Sequence, residues 1–332
     1  FKNLHTWFYT DAGIVKAVNG VDFEIRKGET VCVVGESGCG KSALCKSIMK
    51  LLPKTAKIKS GKILADGIDI TDYTQRNMSR LRGELFSMIF QDPMTSLNPT
   101  MTIGKQIGEA VRIHNKKMPK KQVKEKVLEL MQLVEIDEPE VRISQYPHEF
   151  SGGMRQRAVM AIALAGNPKI LFADEPTTAL DVTIQAQILD VFRRIQKKLG
   201  MATVFISHDL GVVAGVADRV AVMYAGKIVE IGTAEEIFYD PRHPYTWGLL
   251  QSLPILSRGK EWLPTLPGMP PTLIHPPKGD AFAERNAYAM RIDYEKDPPV
   301  FQVTDTHYAA TWLLDERAPK VKAPIGEGRY GK

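Results

Sequence analysis

A glycine-rich segment near the start of the chain has the residue types and spacing of a phosphate-binding loop. Residues 35–42 read Gly-Glu-Ser-Gly-Cys-Gly-Lys-Ser, which fits the pattern G-x-x-x-x-G-K-S/T. Glycines let the backbone curl until successive N–H groups face a polyphosphate. Lys41 is then predicted to reach the β- and γ-phosphates, and Ser42 to hold Mg²⁺. The other residues predicted to contact nucleotide here are Gly35, Ser37, Gly38, Cys39, Gly40 and Ala43. Because Cys39 lies near a helix N-terminus, its thiol is expected to favour the thiolate.

Two adjacent carboxylates end an apolar strand in the second half of the chain, where residues 170–175 read Ile-Leu-Phe-Ala-Asp-Glu. Asp174 is predicted to hold the Mg²⁺ shell, and Glu175 to orient and deprotonate an attacking water. A solvated acidic pair at a strand end is a common alternative. Phosphoryl transfer needs both roles, however, and both carboxylates are expected at the sheet edge that carries the glycine-rich loop.

Two further polar residues follow apolar segments. His208, after the predicted strand Thr203–Ser207, could donate to the γ-phosphate, although a lone histidine is more often structural. Gln91 closes the segment Met88–Gln91 and could touch the water or the Mg²⁺ shell, but taken alone its role could not be inferred.

A second helix start suits an anion. Ser151 is predicted to cap a helix that runs to Ala165, with Gly152 and Gly153 leaving its first N–H groups open. An ordinary helix cap is the alternative. Two phosphate-binding helix starts, one in each half of the chain, favour an ATP molecule held between two protomers.

The elements that must position these residues form an α/β pattern over the first 240 or so residues, where short β-rich runs alternate with helical periodicity. Helices are predicted at 43–52 and 181–199. Between 93 and 134 the chain predicts a helical insertion with one apolar stripe. The predicted strands are Thr30–Gly35, Ile170–Asp174, Thr203–Ser207 and Arg219–Tyr224, and the stripe is Val123, Val127, Leu130 and Val134.

Composition bounds the classes of protein. With 332 residues, 44% hydrophobic and 25% charged, the chain is expected to fold into about two domains. No stretch approaches the roughly 18 apolar residues of a membrane span, and no secretory leader is visible, so a soluble, non-secreted protein is expected. Three cysteines favour a reducing compartment. Thirteen of the 21 prolines lie in residues 241–332, which predicts an appended, loop-rich region.

Together these segments resemble the nucleotide-binding subunits of ABC transporters, with six motifs in that family's order. The motifs are Walker A (Gly35–Ser42), the Q-loop (Gln91), the signature (Ser151–Met154), Walker B (Ile170–Glu175), the D-loop (Ala179–Asp181) and the switch histidine (His208). The resemblance implies a P-loop NTPase ABC ATPase fold in which one subunit's Walker site and its partner's signature grip ATP. It also implies nucleotide contacts from Asp181 and an aromatic residue stacked on adenine, for which Phe8 is the choice and Tyr9 the alternative.

Further segments resemble the ATPases of oligopeptide and dipeptide importers, most closely the D-type subunits of oligopeptide permeases. These segments are Gln91–Pro99, His148–Arg155 and Pro241–Leu250. The resemblance implies an ATP-binding core (1–92 and 156–240, with a β-rich N-terminal part), a helical signature subdomain (93–155) and a C-terminal extension of the oligopeptide-transporter type (241–332). It implies a second ATPase subunit, identical or a paralogue, two membrane-spanning permease subunits, an extracytoplasmic peptide-binding protein, and a place on the cytoplasmic face of the membrane. Residues 92–107 are expected to couple Gln91 to a cytoplasmic helix of the permease.

Two departures from the family matter. Met154 replaces the signature's usual glutamine, so a contact to ribose is expected to be weaker. Many relatives bind an iron–sulfur cluster through four cysteines of the C-terminal region, but no cysteine lies beyond Cys45. The aligned positions are near Asp280, Asn286, Asp293 and Thr311. Without thiolates no cluster is predicted, and the extension is expected to fold by packing its aromatic residues.

Two rival functions remain at this point. A soluble ABC ATPase acting on nucleic acid or ribosomes could use basic residues such as Lys116, Lys117, Lys120 and Lys121. Such proteins usually carry two cassettes, however, and this chain has one Walker A motif, so nucleic acid is not predicted as a partner. A regulator that binds ATP without turnover is disfavoured by the presence of Glu175 and His208.

Overall fold

A computed structural model describes residues 1–178, 180–253 and 266–324. The chain forms two compact units, the first built from residues 1–24, 31–72 and the described residues from 207 onward, the second from 25–30 and 73–206. None of the helices in the described ranges is both long and apolar enough to span a bilayer. The three-part division of the chain given above stays a prediction.

The first unit opens with an antiparallel sheet of β1 (Lys2–Thr10), β2 (Gly13–Val21) and β4 (Ala56–Lys62), with β1 in the centre. Leu4 and Thr6 of β1 are fully buried. The Thr6 hydroxyl lies 2.8 Å from the hydroxyl of Ser47 on helix α1 (Lys41–Ile48). This contact ties the sheet to the helix that follows the glycine-rich loop.

A second group of strands in the first unit contains β3 (Thr30–Val34), which pairs in parallel with β10 (Arg219–Tyr224). β10 continues antiparallel to β11 (Lys227–Thr233), which pairs with β13 (Tyr308–Ala309), itself paired with β12 (Phe301–Gln302). All five residues of β3 are buried, as expected for a parallel strand covered on both faces. The shorter elements of this unit are β5 (Leu64–Ala65), β6 (Ile68–Asp69), α9 (Leu210–Val216) and α10 (Ala234–Tyr239).

Helix α1 differs from the predicted helix at 43–52. It begins two residues earlier and ends at Ile48. Lys50 adopts a left-handed backbone with φ +49°, and the Leu51 N–H donates to the Lys46 carbonyl at 2.8 Å. This is a Schellman ending, which normally uses glycine, so the lysine gave no signal of it.

In the second unit β7 (Phe86–Ile89), β8 (Ile170–Asp174) and β9 (Ala202–Ser207) run parallel, with β8 in the middle. Helix α8 (Val182–Leu199) is capped by the Asp181 side chain and followed by Gly200 at φ +60°. The four predicted strands and this helix are therefore confirmed to within one residue at each end.

Helices make up the rest of the second unit. They are α2 (Gln75–Leu81), α3 (Pro93–Ser96), α4 (Ile103–His114), α5 (Lys120–Leu133), α6 (Pro139–Arg142) and α7 (Gly152–Leu164). The predicted stripe Val123, Val127, Leu130 and Val134 is buried. The predicted helix with its apolar stripe is therefore α5, and the insertion also contains α3 and α4, which precede it.

The described part of the C-terminal region contains α11 (Pro244–Gln251) and α12 (Arg291–Glu295). Its packing centres on Phe282, which is buried against Tyr224 and Tyr245 with ring centroids 5.3 and 5.4 Å away. Tyr288 lies edge-on to Trp247. Phe301, Tyr308 and Trp312 are only half-buried. Fewer aromatic residues therefore form the core of this region than the sequence predicts.

Candidate functional site

The glycine-rich loop between β3 and α1 has a backbone that only glycine permits. Gly35 has φ +149°, and a Cβ there would lie 2.1 Å from the carbonyl oxygen of Met223. Gly40 has φ +109°, and its Cβ would lie 2.1 Å from the carbonyl oxygen of Ala17. These close approaches to β10 and β2 hold the loop tightly curled.

Lys41 lies inside this curl with 5% of its surface exposed. Its ammonium group donates to the carbonyl oxygens of Gly35 at 2.8 Å and Glu36 at 2.9 Å. Ser37 and Gly38 are exposed, and a Cβ on Gly38 would meet nothing within 4 Å. The loop therefore offers open backbone beside a positive charge, which fits a polyphosphate.

Ser42 and Ala43 form the first turn of α1 and are half-buried. Gly40 caps this helix without a side chain, so no side-chain oxygen blocks its first N–H groups. A hydroxyl at this helix start is the ligand that phosphate loops offer to Mg²⁺, so the residues present fit the ion.

Cys39 differs from expectation. A thiol near a helix N-terminus is predicted to favour the thiolate, but Cys39 is buried, and burial raises the pKa of its thiol, with Lys41 opposing the shift. The thiolate prediction is therefore wrong, since desolvation outweighs the nearby charge. Cys32 and Cys45 are buried as well.

Phe8 lies in the central strand β1, opposite Val15 on β2 and Ala56 on β4, and is half-buried. Tyr9 is 40% exposed. Both have enough exposed ring to stack on a base, so the choice between them stays a prediction.

The acidic residues lie at the carboxyl ends of the parallel strands of the second unit. Asp174 ends β8 and is buried, and Glu175 follows it with φ +47°. A left-handed backbone costs a non-glycine residue free energy and is found mostly where the structure imposes it. The Gln91 amide and the Thr178 hydroxyl each donate to Glu175 Oε2 at 3.1 Å. The structure therefore brings Gln91 and Glu175 together, and a carboxylate held in this way can orient a water.

His208 is exposed in the turn between β9 and α9. The next residue, Asp209, caps α9 by accepting from the N–H groups of Gly211 and Val212. This cap fixes the turn, so the backbone that carries the histidine is held in place.

The signature residues begin α7 as predicted. The Ser151 hydroxyl accepts from the Met154 N–H at 3.3 Å, and Ser151 and Gly152 are exposed. A Cβ on Gly153 would lie 2.6 Å from Ile184, on the first turn of α8. The Asp181 side chain caps α8 by accepting from the Ile184 N–H, so Ile184 contacts both the signature and Asp181. Ala179 of the predicted D-loop lies outside the described residues.

One loop residue was missed by the sequence pattern. Glu36 occupies a variable position of G-x-x-x-x-G-K-S/T, and its side chain is bound by Arg285 of the C-terminal region, 249 residues away. No periodicity or motif signals a contact of that separation. The segment Pro241–Leu250, which contains Tyr245, carries the family resemblance but predicts no contact with the loop.

The four positions aligned with iron–sulfur cysteines hold buried oxygen-bearing side chains that already bind backbone. Asp280 accepts from the Phe282 N–H, Asn286 from Tyr288 and Asp293 from Met290. Thr311 accepts from the Leu313 N–H. In the described part of the chain, no group of three or more His, Cys, Asp or Glu side chains is placed to hold a metal ion. Because these positions offer no thiolate, the residues present do not fit an iron–sulfur cluster.

Asp280 makes stability depend on pH. Burial is the main reason that the pKa of Asp280 is raised to about 6. The Phe282 N–H and Lys227 lower this pKa, whereas the Asp293 and Asp297 carboxylates raise it. The folded chain thus binds more protons than the unfolded chain between about pH 4 and 6, so stability falls as pH rises through that window. Between pH 4.5 and 7.5 the parent chain is expected to lose on the order of 2 kcal/mol of its free energy of unfolding, measured with denaturant. Asp280→Asn is expected not to show this loss. Asp305→Asn, on an exposed residue, is the control, and parallel pH profiles for Asp280→Asn and the parent chain would contradict the assignment.

Comparison with known proteins adds two family matches. A family model described as "ABC transporter" matches residues 18–178. A second, described as "Oligopeptide/dipeptide transporter, C-terminal region", matches residues 229–292.

Individual relatives cover nearly the whole chain. It is 59% identical over 325 residues to the oligopeptide transport ATP-binding protein OppD of Bacillus subtilis, covering 97% of this chain and 90% of that protein. It is 58% identical over 320 residues to the dipeptide transport ATP-binding protein DppD of Lactococcus lactis, covering 96% and 92%. Among solved structures, the ATP-binding cassette MJ0796 in a dimeric post-hydrolysis state bound to ADP and Pi matches with TM-score 0.63 and 26% identity, covering 70% of this chain and 97% of that one.

Proposed function

Because the chain belongs to the ABC transporter family, among the ATP-binding proteins of oligopeptide and dipeptide transport, we propose that it powers peptide import through a membrane permease. It is an ATPase subunit that couples ATP hydrolysis to transport. The observation that carries this conclusion is the identity to peptide-transport ATP-binding proteins across 97% of the chain, which includes the C-terminal region.

The residues proposed for the site have the chemistry that ATP hydrolysis needs. The loop N–H groups and the Lys41 ammonium would bind the phosphates, and the Ser42 hydroxyl and the Asp174 carboxylate would hold Mg²⁺. Magnesium, when bound, neutralises charge that develops on the phosphate oxygens. Glu175, positioned by Gln91, accepts a proton from the attacking water, and His208 donates to the γ-phosphate.

We propose that a second ATPase subunit completes each site. Ser151 and Gly152 are exposed at the start of α7, where N–H groups of a helix start can bind a phosphate presented by a partner subunit. The dimeric cassette bound to ADP and Pi supports this arrangement. The sequence Ser151–Gly153 is kept beside Met154, which stands where the family usually has glutamine.

The permease is proposed to dock on a groove of the second unit. The groove has a volume of about 1010 Å³ and lies along α4 and α5, with residues 101–108 on one side. Val123 and Val127 line its floor, and Lys105, Lys116 and Lys120 line its rim. Its apolar floor suits a short helix, and it overlaps the stretch expected to couple Gln91 to the permease. The subunit would then lie on the cytoplasmic face of the membrane, with a peptide-binding protein on the other side.

Phe8 is proposed to stack on adenine. Removing one aromatic stacking partner is expected to weaken ATP binding roughly two- to twelvefold, since such pairs contribute about 0.5–1.5 kcal/mol. Titration of MgATP into Phe8→Ala and Tyr9→Ala, with ADP as a second ligand, distinguishes the two. A loss confined to Tyr9→Ala would transfer the role to Tyr9.

Peptide uptake tests the proposed function. The subunit, reconstituted in proteoliposomes with its permease, partner ATPase and peptide-binding protein, is expected to take up labelled peptide only with MgATP. Di-, tri- and pentapeptides define the cargo. The proposal would be contradicted if none of these peptides were taken up in the presence of MgATP.

A further inference from the structure

Glu36 is held by the C-terminal region through both its side chain and its backbone. Arg285 donates from Nη1 to Glu36 Oε2 at 2.6 Å and from Nη2 to Oε1 at 2.9 Å. The Glu36 N–H donates to the Tyr245 hydroxyl at 2.8 Å. The Arg285 side chain is 4% exposed and that of Glu36 28%, so this two-pronged ion pair lies largely out of water.

Arg285 is also held in place by residues other than Glu36. Its Nε donates to the Pro267 carbonyl at 2.8 Å, and Nη1 also donates to the Tyr224 hydroxyl at 3.2 Å. The guanidinium carbon lies 5.7 Å from the ring centroid of Tyr224 and 5.9 Å from that of Phe282. The hydrogen bond with Glu36 raises the pKa of Arg285, so the cation persists at every physiological pH. Arg285 thus forms a rigid support rather than a mobile surface charge.

The pair acts on the phosphate loop in two ways. It neutralises a carboxylate within the loop, which would otherwise repel a triphosphate. Together with the Tyr245 hydroxyl it also restrains the backbone of Glu36, whose carbonyl oxygen accepts from the Lys41 ammonium at 2.9 Å. Contacts therefore run without a break from Arg285 through Glu36 to the lysine that binds phosphate.

We propose that Arg285 is a positioning residue for the phosphate loop, through which the C-terminal region sets the affinity for nucleotide. The inference rests on the proposed ATP binding. The region that distinguishes peptide-transporter subunits thereby becomes part of the nucleotide site rather than an appendage.

Calorimetric titration of MgATP into the full chain tests this with four variants: Arg285→Met, Arg285→Lys, Glu36→Gln and the double variant Glu36→Gln/Arg285→Met. Arg285→Met, which leaves the carboxylate unpaired, is expected to weaken ATP binding roughly tenfold to a hundredfold. The double variant is expected to recover most of that loss, because its loop carries no unpaired carboxylate. The KM for ATP should rise in Arg285→Met with kcat at saturating ATP nearly unchanged. Arg291→Met, on a 93% exposed arginine of α12, is the control.

The outcomes separate the claims. Absence of MgATP binding by the unmodified chain would contradict the proposed function itself. Unchanged ATP affinity in Arg285→Met, or a loss that the double variant fails to relieve, would overturn the role of Arg285. If Arg285→Met does not fold, Arg285→Lys decides: it keeps the charge but loses the paired geometry, and the inference requires its ATP affinity to fall at unchanged stability of the nucleotide-free chain.

Discussion

Replacing Glu175 by glutamine (Glu175→Gln) is expected to lower the rate of ATP hydrolysis by about 10²–10⁴-fold while leaving MgATP binding intact. Glutamine keeps the size of the side chain and its hydrogen bonds to Gln91 and Thr178, but it cannot accept a proton from water. Phosphate release under single-turnover conditions measures the chemical step directly. Because ATP then persists, the proposed pair of ATPase subunits should stay associated around it and be detected by light scattering.

Glu125→Gln is the matched control, since Glu125 is an exposed glutamate of α5 away from the strand ends. It should hydrolyse ATP at the parent rate. Turnover within a few-fold of the parent in Glu175→Gln would remove Glu175 from the proton transfer.

The largest loss of stability is expected at Glu230 on β11. Its buried carboxylate accepts from the backbone N–H groups of Arg242 and His243, and lies 2.8 Å from His307 Nε2, also fully buried. Glu230→Ala leaves these buried groups without their acceptor, which costs about 3–5 kcal/mol when a buried pair is broken. Denaturant unfolding followed by tryptophan fluorescence measures the free energy, since Trp247 and Trp312 lie in this region.

Glu235→Ala provides the comparison, because Glu235 is exposed on α10 near the same strand. It should change the free energy of unfolding by less than about 0.5 kcal/mol. A similarly small effect of Glu230→Ala would show that the buried network is dispensable, and that the C-terminal region is held by its apolar contacts instead.

Local physics made much of the fold predictable. The run Val220–Met223 is continuously apolar, as is typical of a parallel strand that is covered on both faces. The predicted strand Arg219–Tyr224 has the same bounds in the structure. The end of α1 was not predictable, since a left-handed lysine at position 50 gives no compositional signal. Likewise, a glutamate in the sequence does not predict the left-handed backbone found at Glu175.

The site was predictable only where a pattern is local. The glycine loop has a fixed spacing, so its residues could be named, whereas the ion pair of Glu36 with Arg285 joins segments 249 residues apart. The pKa of Cys39 shows a second limit. A helix start is visible in the sequence, but the burial that raises the pKa of this thiol depends on the folded chain.

The most direct test of the central claim is phosphate release by the reconstituted transporter, with and without peptide, compared with the Lys41→Ala variant. The account predicts Mg²⁺-dependent ATP hydrolysis that rises with transported peptide and is lost in Lys41→Ala. Peptide uptake that proceeds at the same rate in Lys41→Ala, or without phosphate release, would contradict it.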